Sequence, residues 1–374
     1  MDIEKKNPAS HASNRLLSLD FMRGLIMCLL ALEACGFYYH LRTASPEGSL
    51  GQTLISQFFH AGWHGLHFWD LIQPAFMFMA GIAMTYSLTS QINRGYSWNQ
   101  RLVKLLKRCG WLVFWGIFKR ISSPDWLAWE ALDVTDILTQ LAFASLIAFF
   151  VFGLTWRYQL LACAVILLTT ELLYRGWPVS GFDEPFTQGA NFGNWVDAVL
   201  FGQPASTYVF INWFPTAVHT VAGVLVGKLL LNQQRPTGLL LLFGLPLIIL
   251  GYSLDSLALT PIIKPIASSS FMLASLGFCL WMIAVLHWWI DVRNHKKGLL
   301  FLQVLGMNAI FIYLFFDIVG RNWLNDYGYM ITAPLLASLG LSATGIAIAS
   351  SLCVFALEWS ICYFLYRKKI FFKL

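Results

Sequence analysis

Residues 60–90 read HAGWHGLHFWDLIQPAFMFMAGIAMTYSLTS. From Asp70 to Ser90 the chain runs for 21 residues with Asp70 as its only formal charge. A helix crosses the hydrocarbon of a bilayer with about 20 mostly apolar residues, so this stretch predicts a transmembrane span. Comparable runs recur near 21–41, 108–120, 135–154, 157–174, 214–231, 238–257, 269–290, 299–319 and 342–366. The reading is an all-α polytopic membrane protein, a bundle of about ten transmembrane helices. The apolar stretch 331–341 is too short to cross and is expected to be re-entrant. Composition agrees: 57% of the residues are hydrophobic and 12% charged, against roughly 25% charged in a soluble domain.

The net charge of +6 does not indicate nucleic acid. The basic residues sit in clusters between apolar runs, as the positive-inside rule expects. With the N-terminus cytoplasmic, 19 of the 25 Lys and Arg fall on the cytoplasmic side of the alternating loops. The expected organisation is a cytoplasmic tail over 1–14, one transmembrane domain over 15–374 and a cytoplasmic C-terminus. The N-terminal residues lack the apolar core and small-residue cleavage site of a signal peptide, so the first run reads as a retained helix. The seven cysteines lie mostly within apolar runs without CxxC spacing and read as small buried side chains.

The first half of the opening stretch carries the chemistry. His60, His64 and His67 are spaced four and three apart, so on a helix they would share a face. Asp70 follows as an acid that can hold an imidazole tautomer or cap the span it begins. The spacing suits a metal, but it lacks a recognised fourth ligand or a Glu base, and no metal is expected. Trp63 and Trp69 fit the headgroup level. Glu33, Asp70, Asp136, His219, Asp255 and Asp317 fall in the outer halves of the spans. Each alone can simply fix helix packing, but together they predict a polar cavity opening outward. On the opposite face Arg15 and Arg23 flank the first span. Arg101, Lys104, Lys107 and Arg108 form a basic helix face that suits lipid headgroups or a soluble anion bearing several phosphates.

At these residues the chain resembles the transmembrane acyltransferases related to heparan-α-glucosaminide N-acetyltransferase and their bacterial NagX-type relatives. RLLSLDFMRGL (15–25) and HAGWHGLHFWDLIQPAFMFMAG (60–81) carry the resemblance most specifically. NWVDAVLFG (194–202), HTVAGVLVGKLL (219–230), PIIKPIASSSFML (261–273) and LGMNAIFIY (305–313) follow in the family's order. The resemblance implies transfer of an acetyl group from cytoplasmic acetyl-CoA, across the inner membrane, to an amine of a glucosamine-like sugar or glycan. His60 matches the family's active histidine, as acyl carrier or as general base. The expected support comes from Asp70, His64 and Asn308 at the reaction, Arg15, Arg23, Arg101 and Lys104 at the CoA, and Glu33, Trp63 and Lys264 at the acceptor. Lys264 can instead snorkel to the interface, and Asn308 can be helix–helix glue. Where the lysosomal relative carries an asparagine in span one, a gapless count gives Ala34, beside Glu33. Homodimers occur in the family. A proton-coupled sugar transporter and an O-acetyltransferase acting on a surface glycan are the competing readings. Against the first, no internal repeat is present, though Pro74 and Pro246 fall inside spans.

Overall fold

A computed structural model describes residues 16–121, 136–202, 207–233 and 236–372. Arg15, Asp133 and the 1–14 tail lie outside the described residues. Among those described there is no strand. Helices α1 (Leu17–Ala34) and α2 (Phe37–Ala44) form a bent pair, followed by short α3 (Leu50–Ser56), then α4 (Ile72–Asn93), α5 (Trp98–Ile121), α6 (Ile137–Phe152) and α7 (Trp156–Gly176). The second half comprises α8 (Phe192–Phe201), α9 (Trp213–Asn232), α10 (Thr237–Ser256), α11 (Ser269–Leu286), α12 (Leu300–Met307), α13 (Ala309–Phe315), α14 (Asn325–Ser338) and α15 (Ala343–Arg367).

Six helices are long and apolar enough to cross a membrane, and up to eight if each bent pair is one span. These account for eight of the expected stretches. The other two, α5 and α6, are helical, but α5 is heavily charged at its start and α6 is 16 residues long. The 331–341 stretch is not a separate re-entrant piece. It continues a helical run over Ala309–Ser338 that bends from α12 by 77° at Asn308. Neither proline breaks its helix. Pro74 sits in the first turn of α4, where its missing N–H has no partner to lose, and α10 continues through Pro246.

Small residues let the helices approach where lipid supplies no hydrophobic drive. A β-carbon at Gly81 of α4 would meet the Thr220 carbonyl of α9, and one at Gly223 would meet the Phe78 carbonyl. Gly24 of α1 and Gly306 of α12 make the same kind of crossing. Residues of α1, α4, α5, α6 and α13 line one seam between the helices. The loops after α3, α7, α8 and α10 meet at one end of it.

Candidate active site

The segment from His60 to His67 is not helical, so the three histidines do not share a face. Gly65 takes φ +119°, a conformation open to glycine, and its N–H reaches the Ile262 carbonyl at 2.9 Å. The three imidazoles then diverge. His60 Nδ1 lies 2.7 Å from Asp70 Oδ1, His64 Nε2 lies 2.6 Å from Asp255 Oδ1, and His67 Nδ1 lies 2.9 Å from the Phe59 carbonyl. No group of three or more His, Cys, Asp or Glu among the described residues is arranged for a metal ion.

Asp70 performs both structural tasks its position suggested, one with each oxygen. Oδ2 accepts from the Ala61 and His67 amides at 3.0 Å each, capping the turn that starts α4. Oδ1 accepts from His60 Nδ1 and from Lys264 Nζ at 3.3 Å. So many donors around one carboxyl are the environment of an ionised aspartate. A charged Asp70 selects the His60 tautomer with the proton on Nδ1, which leaves Nε2 as an acceptor. That tautomer is assigned from the Asp70 contact, with Lys264 Nζ donating to Asp70 and not to the ring. The His60 side chain is half exposed, whereas Asp70 is buried.

Lys264 is presented by a loop with almost every polar group engaged. Asn212 Nδ2 donates to the Lys264 and Pro265 carbonyls at 2.9 and 2.7 Å, and Ser268 Oγ donates to Pro261 O at 2.7 Å. Glu171 of α7 accepts from Thr260 and Ser269 hydroxyls, and Asp255 accepts the Ile262 amide. This scaffold carries the ammonium to 3.1 Å from His60 Nδ1 and 5.6 Å from the Tyr208 ring centre. Burial pushes the Lys264 ammonium down to about 8, against the opposing pull of Asp70. Lys264 does not snorkel outward; its side chain is 7% exposed.

His60 and Lys264 open into a cavity of about 370 Å³ whose far wall is Lys119, Asp136 and Tyr313, with Gln73 and Gln140 between. Lys119 lies 2.5 Å from Asp136 and 2.9 Å from Asp317, and donates to Tyr313 Oη at 2.9 Å. Asp317 continues the chain to Arg321, which binds Glu33. A second cavity of about 480 Å³ lies further along the seam, lined by Arg23, Arg108, Phe76, Leu141 and Ile310. Lys119 and Arg108 are eleven residues apart on α5, about 16 Å along the axis.

Several expected residues lie elsewhere. His64 ties the loop to α10, outside the His60 cavity. Trp63 donates to the Phe186 carbonyl at 2.7 Å beside a cluster of apolar residues that includes Trp177, Phe186 and Phe192, and Trp69 is buried against Tyr38 and Phe58. Glu33 meets the cavity only through Arg321 and Asp317. Asn308 lies at the second cavity, donating to the Ile370 carbonyl at 3.1 Å and accepting the Phe372 amide at 3.0 Å. Of the basic set, Arg23 lines that cavity. Arg101 does not, and Lys104 lies over the Tyr96 ring at 3.7 Å. Tyr208, Lys119, Tyr313 and Gln73 were not singled out from the sequence, because their loops and helices converge only in three dimensions. Arg108, read from the sequence with Arg101, Lys104 and Lys107 as one basic helix face, is the member of that face that lines the cavity.

A multi-pass helical membrane protein with an Asp–His–Lys cluster at one end of an interhelical seam is the class that fold and site define. The chain belongs to the family described as heparan-alpha-glucosaminide N-acetyltransferase, catalytic, whose model matches residues 15–254. It is similar to heparan-alpha-glucosaminide N-acetyltransferase of Mus musculus, at 22% identity over 97% of this chain and 61% of that protein. It is also similar to the Homo sapiens protein of the same name, at 25% identity over 96% of this chain and 60% of that one. The chain thus spans about three fifths of the length of these relatives.

Proposed function

We propose that this protein transfers an acetyl group from acetyl-CoA to the amine of a glucosamine-like sugar, with His60 at the point of transfer. The observation that carries the reading is the Asp70-oriented imidazole of His60, with Lys264 beside it, facing a polar cavity. Arg23 and Arg108 hold the donor's phosphates as charge-assisted partners at the cytoplasmic end. The thioester arm runs up the seam toward His60. Asp136, Gln73 and Gln140 offer acceptors and donors for the hydroxyls and amine of a sugar. The basic start of α5 faces the cytoplasm, the His60 cavity faces the opposite side, and the bilayer is the cell's inner membrane.

In direct transfer the sugar amine forms its bond to the acetyl carbon while Nε2 takes the amine proton, and the carbon–sulfur bond breaks. The proton then passes to the departing thiolate. The carbonyl oxygen becomes anionic during attack, and the Lys264 ammonium is the nearest fixed positive charge. In the two-step variant Nε2 bonds to the acetyl carbon as the carbon–sulfur bond breaks and CoA leaves as thiolate; the sugar amine then attacks that carbon, the carbon–Nε2 bond breaks, and the amine proton passes to the thiolate.

The test is transfer of radiolabelled acetyl from acetyl-CoA to glucosamine by detergent-purified protein. Wild type is expected to label the sugar, and His60→Ala to lose on the order of 10²–10⁴-fold in rate. Label held on the protein without sugar identifies the two-step route. A folded wild type that neither binds CoA nor labels any amino sugar overturns the reading.

A further inference from the structure

Beyond α15 the chain turns back under the bundle instead of running away from it. Lys369 takes a left-handed backbone conformation, φ 57°. The Lys369 amide bonds to Tyr366 O at 3.1 Å and the Ile370 amide to Leu365 O at 2.9 Å, the pairing of a Schellman cap. A β-carbon disfavours that conformation, so it persists where later contacts hold the chain. Asn308 supplies them. Its fully buried amide receives Phe372 N–H on Oδ1 and gives Nδ2–H to the Ile370 carbonyl, gripping the strap by two main-chain bonds at once. An amide side chain offers a separate donor and acceptor atom for the two bonds. The 77° break between α12 and α13 is at Asn308 itself, whose side chain caps neither helix.

The grip places two aromatic rings. Phe371 and Phe372 line the second cavity together with Arg23 and Arg108. Phe372 meets the Trp115 ring edge-on at 5.8 Å and is still 38% exposed. An apolar ring fixed by main-chain bonds at a cavity rim, with a surface open and two guanidinium groups beside it, is suited to a ligand that is flat at one end and multiply anionic at the other.

We propose that the strap 370–372 is part of the donor site: Phe371 and Phe372 form the surface on which the nucleotide base of the acyl-CoA rests, and Asn308 is the positioning residue that holds them there. The proposal rests on the donor reading above and extends it to the part of the donor furthest from the chemistry. Phosphates go to Arg23 and Arg108, the base to the strap, and the thioester arm leaves along the seam. The strap therefore discriminates donors that carry a nucleotide from donors that do not, and does not affect the acetyl-transfer step.

Two donors separate these roles. Acetyl-CoA and acetyl-pantetheine share the thioester, and only the first has a nucleotide. With the full chain in detergent, Phe372→Ala is expected to raise the KM for acetyl-CoA by about tenfold, a loss of one stacking partner. It should leave the KM for acetyl-pantetheine and kcat at saturation unchanged. Asn308→Asp, which keeps the shape but removes the Nδ2 donor, should give the same pattern with both rings present. Phe372→Trp should restore wild-type KM. An unchanged KM for acetyl-CoA in the alanine and aspartate variants, or an equal loss with both donors, overturns the strap assignment while leaving the donor reading intact. Wild-type protein that shows no CoA binding by calorimetry overturns the donor reading, and the strap assignment with it.

Discussion

The two cavities along the seam are built by opposite means. The outer one is made by loops: His60, Lys264 and Tyr208 stand on irregular backbone fixed by side-chain-to-main-chain bonds such as those of Asn212, Ser268 and Asp70. The inner one is made by helix faces, with Arg23 on α1 and Arg108 on α5, and a strap clamped across it. Loops hold acid–base groups in place only when their polar backbone groups are engaged. Helix faces place charges more coarsely, which suffices for phosphate groups that long arginines can follow. The outer region is therefore expected to be intolerant of isosteric changes, and the inner one graded.

Asp70→Asn tests the intolerant side most severely. It leaves Lys264 buried without its anion and His60 without its orienting partner. Loss of one member of a buried pair costs about 3–5 kcal/mol. A large drop in thermal stability is expected in detergent, along with a kcat reduced by about 10²-fold or more. A stable, active asparagine variant would remove the contrast between the cavities.

Arg108→Ala tests the graded side. One charge-assisted contact is worth about 1.5–3 kcal/mol, so the KM for acetyl-CoA should rise between about 10- and 100-fold with kcat retained. A collapse of kcat instead would show that the inner cavity also takes part in the chemistry.

The pH dependence sharpens the outer site. Lys264 loses its charge as pH rises through about 8, so kcat/KM should fall on that limb, and Lys264→Arg should move the fall to higher pH. Stability follows the opposite sign. Between about 8 and the ordinary lysine value of 10.5 the unfolded chain holds the extra proton. The folded protein therefore gains stability with rising pH across that window. Chemical denaturation of wild type and Lys264→Met at pH 7.5 and 10 measures this; a difference independent of pH would contradict it.

The smallest effect belongs to His64, four residues from His60 in the same motif. Its pairing with Asp255 is solvent-exposed, and such pairs contribute about 1 kcal/mol or less. His64→Ala should retain kcat and shift stability only slightly. A loss as deep as that of His60→Ala would make the two histidines one functional unit.

The helical, multi-span character was legible in the sequence because a bilayer demands about 20 apolar residues per crossing, a local property of the chain. His60 and Asp70 were legible as a pair because both lie within one short motif at the mouth of a span. Their divergence from His64 was not, since it depends on Gly65 docking against Ile262, nearly 200 residues away. Lys264 was visible only through resemblance, and nothing local shows that Asn212 and Ser268 would aim it at Asp70. Asn308 was visible through the resemblance and Glu33 as a charge within an apolar run, but their partners were not: one binds the main chain of residues 370 and 372, and the other meets the site through Arg321 and Asp317. The length of the apolar runs and the low charge content thus determined by themselves that the chain forms a helical bundle suited to a membrane. Which polar groups meet within it was decided by tertiary structure alone, because a hydrogen bond depends on direction and distance between segments far apart in the chain.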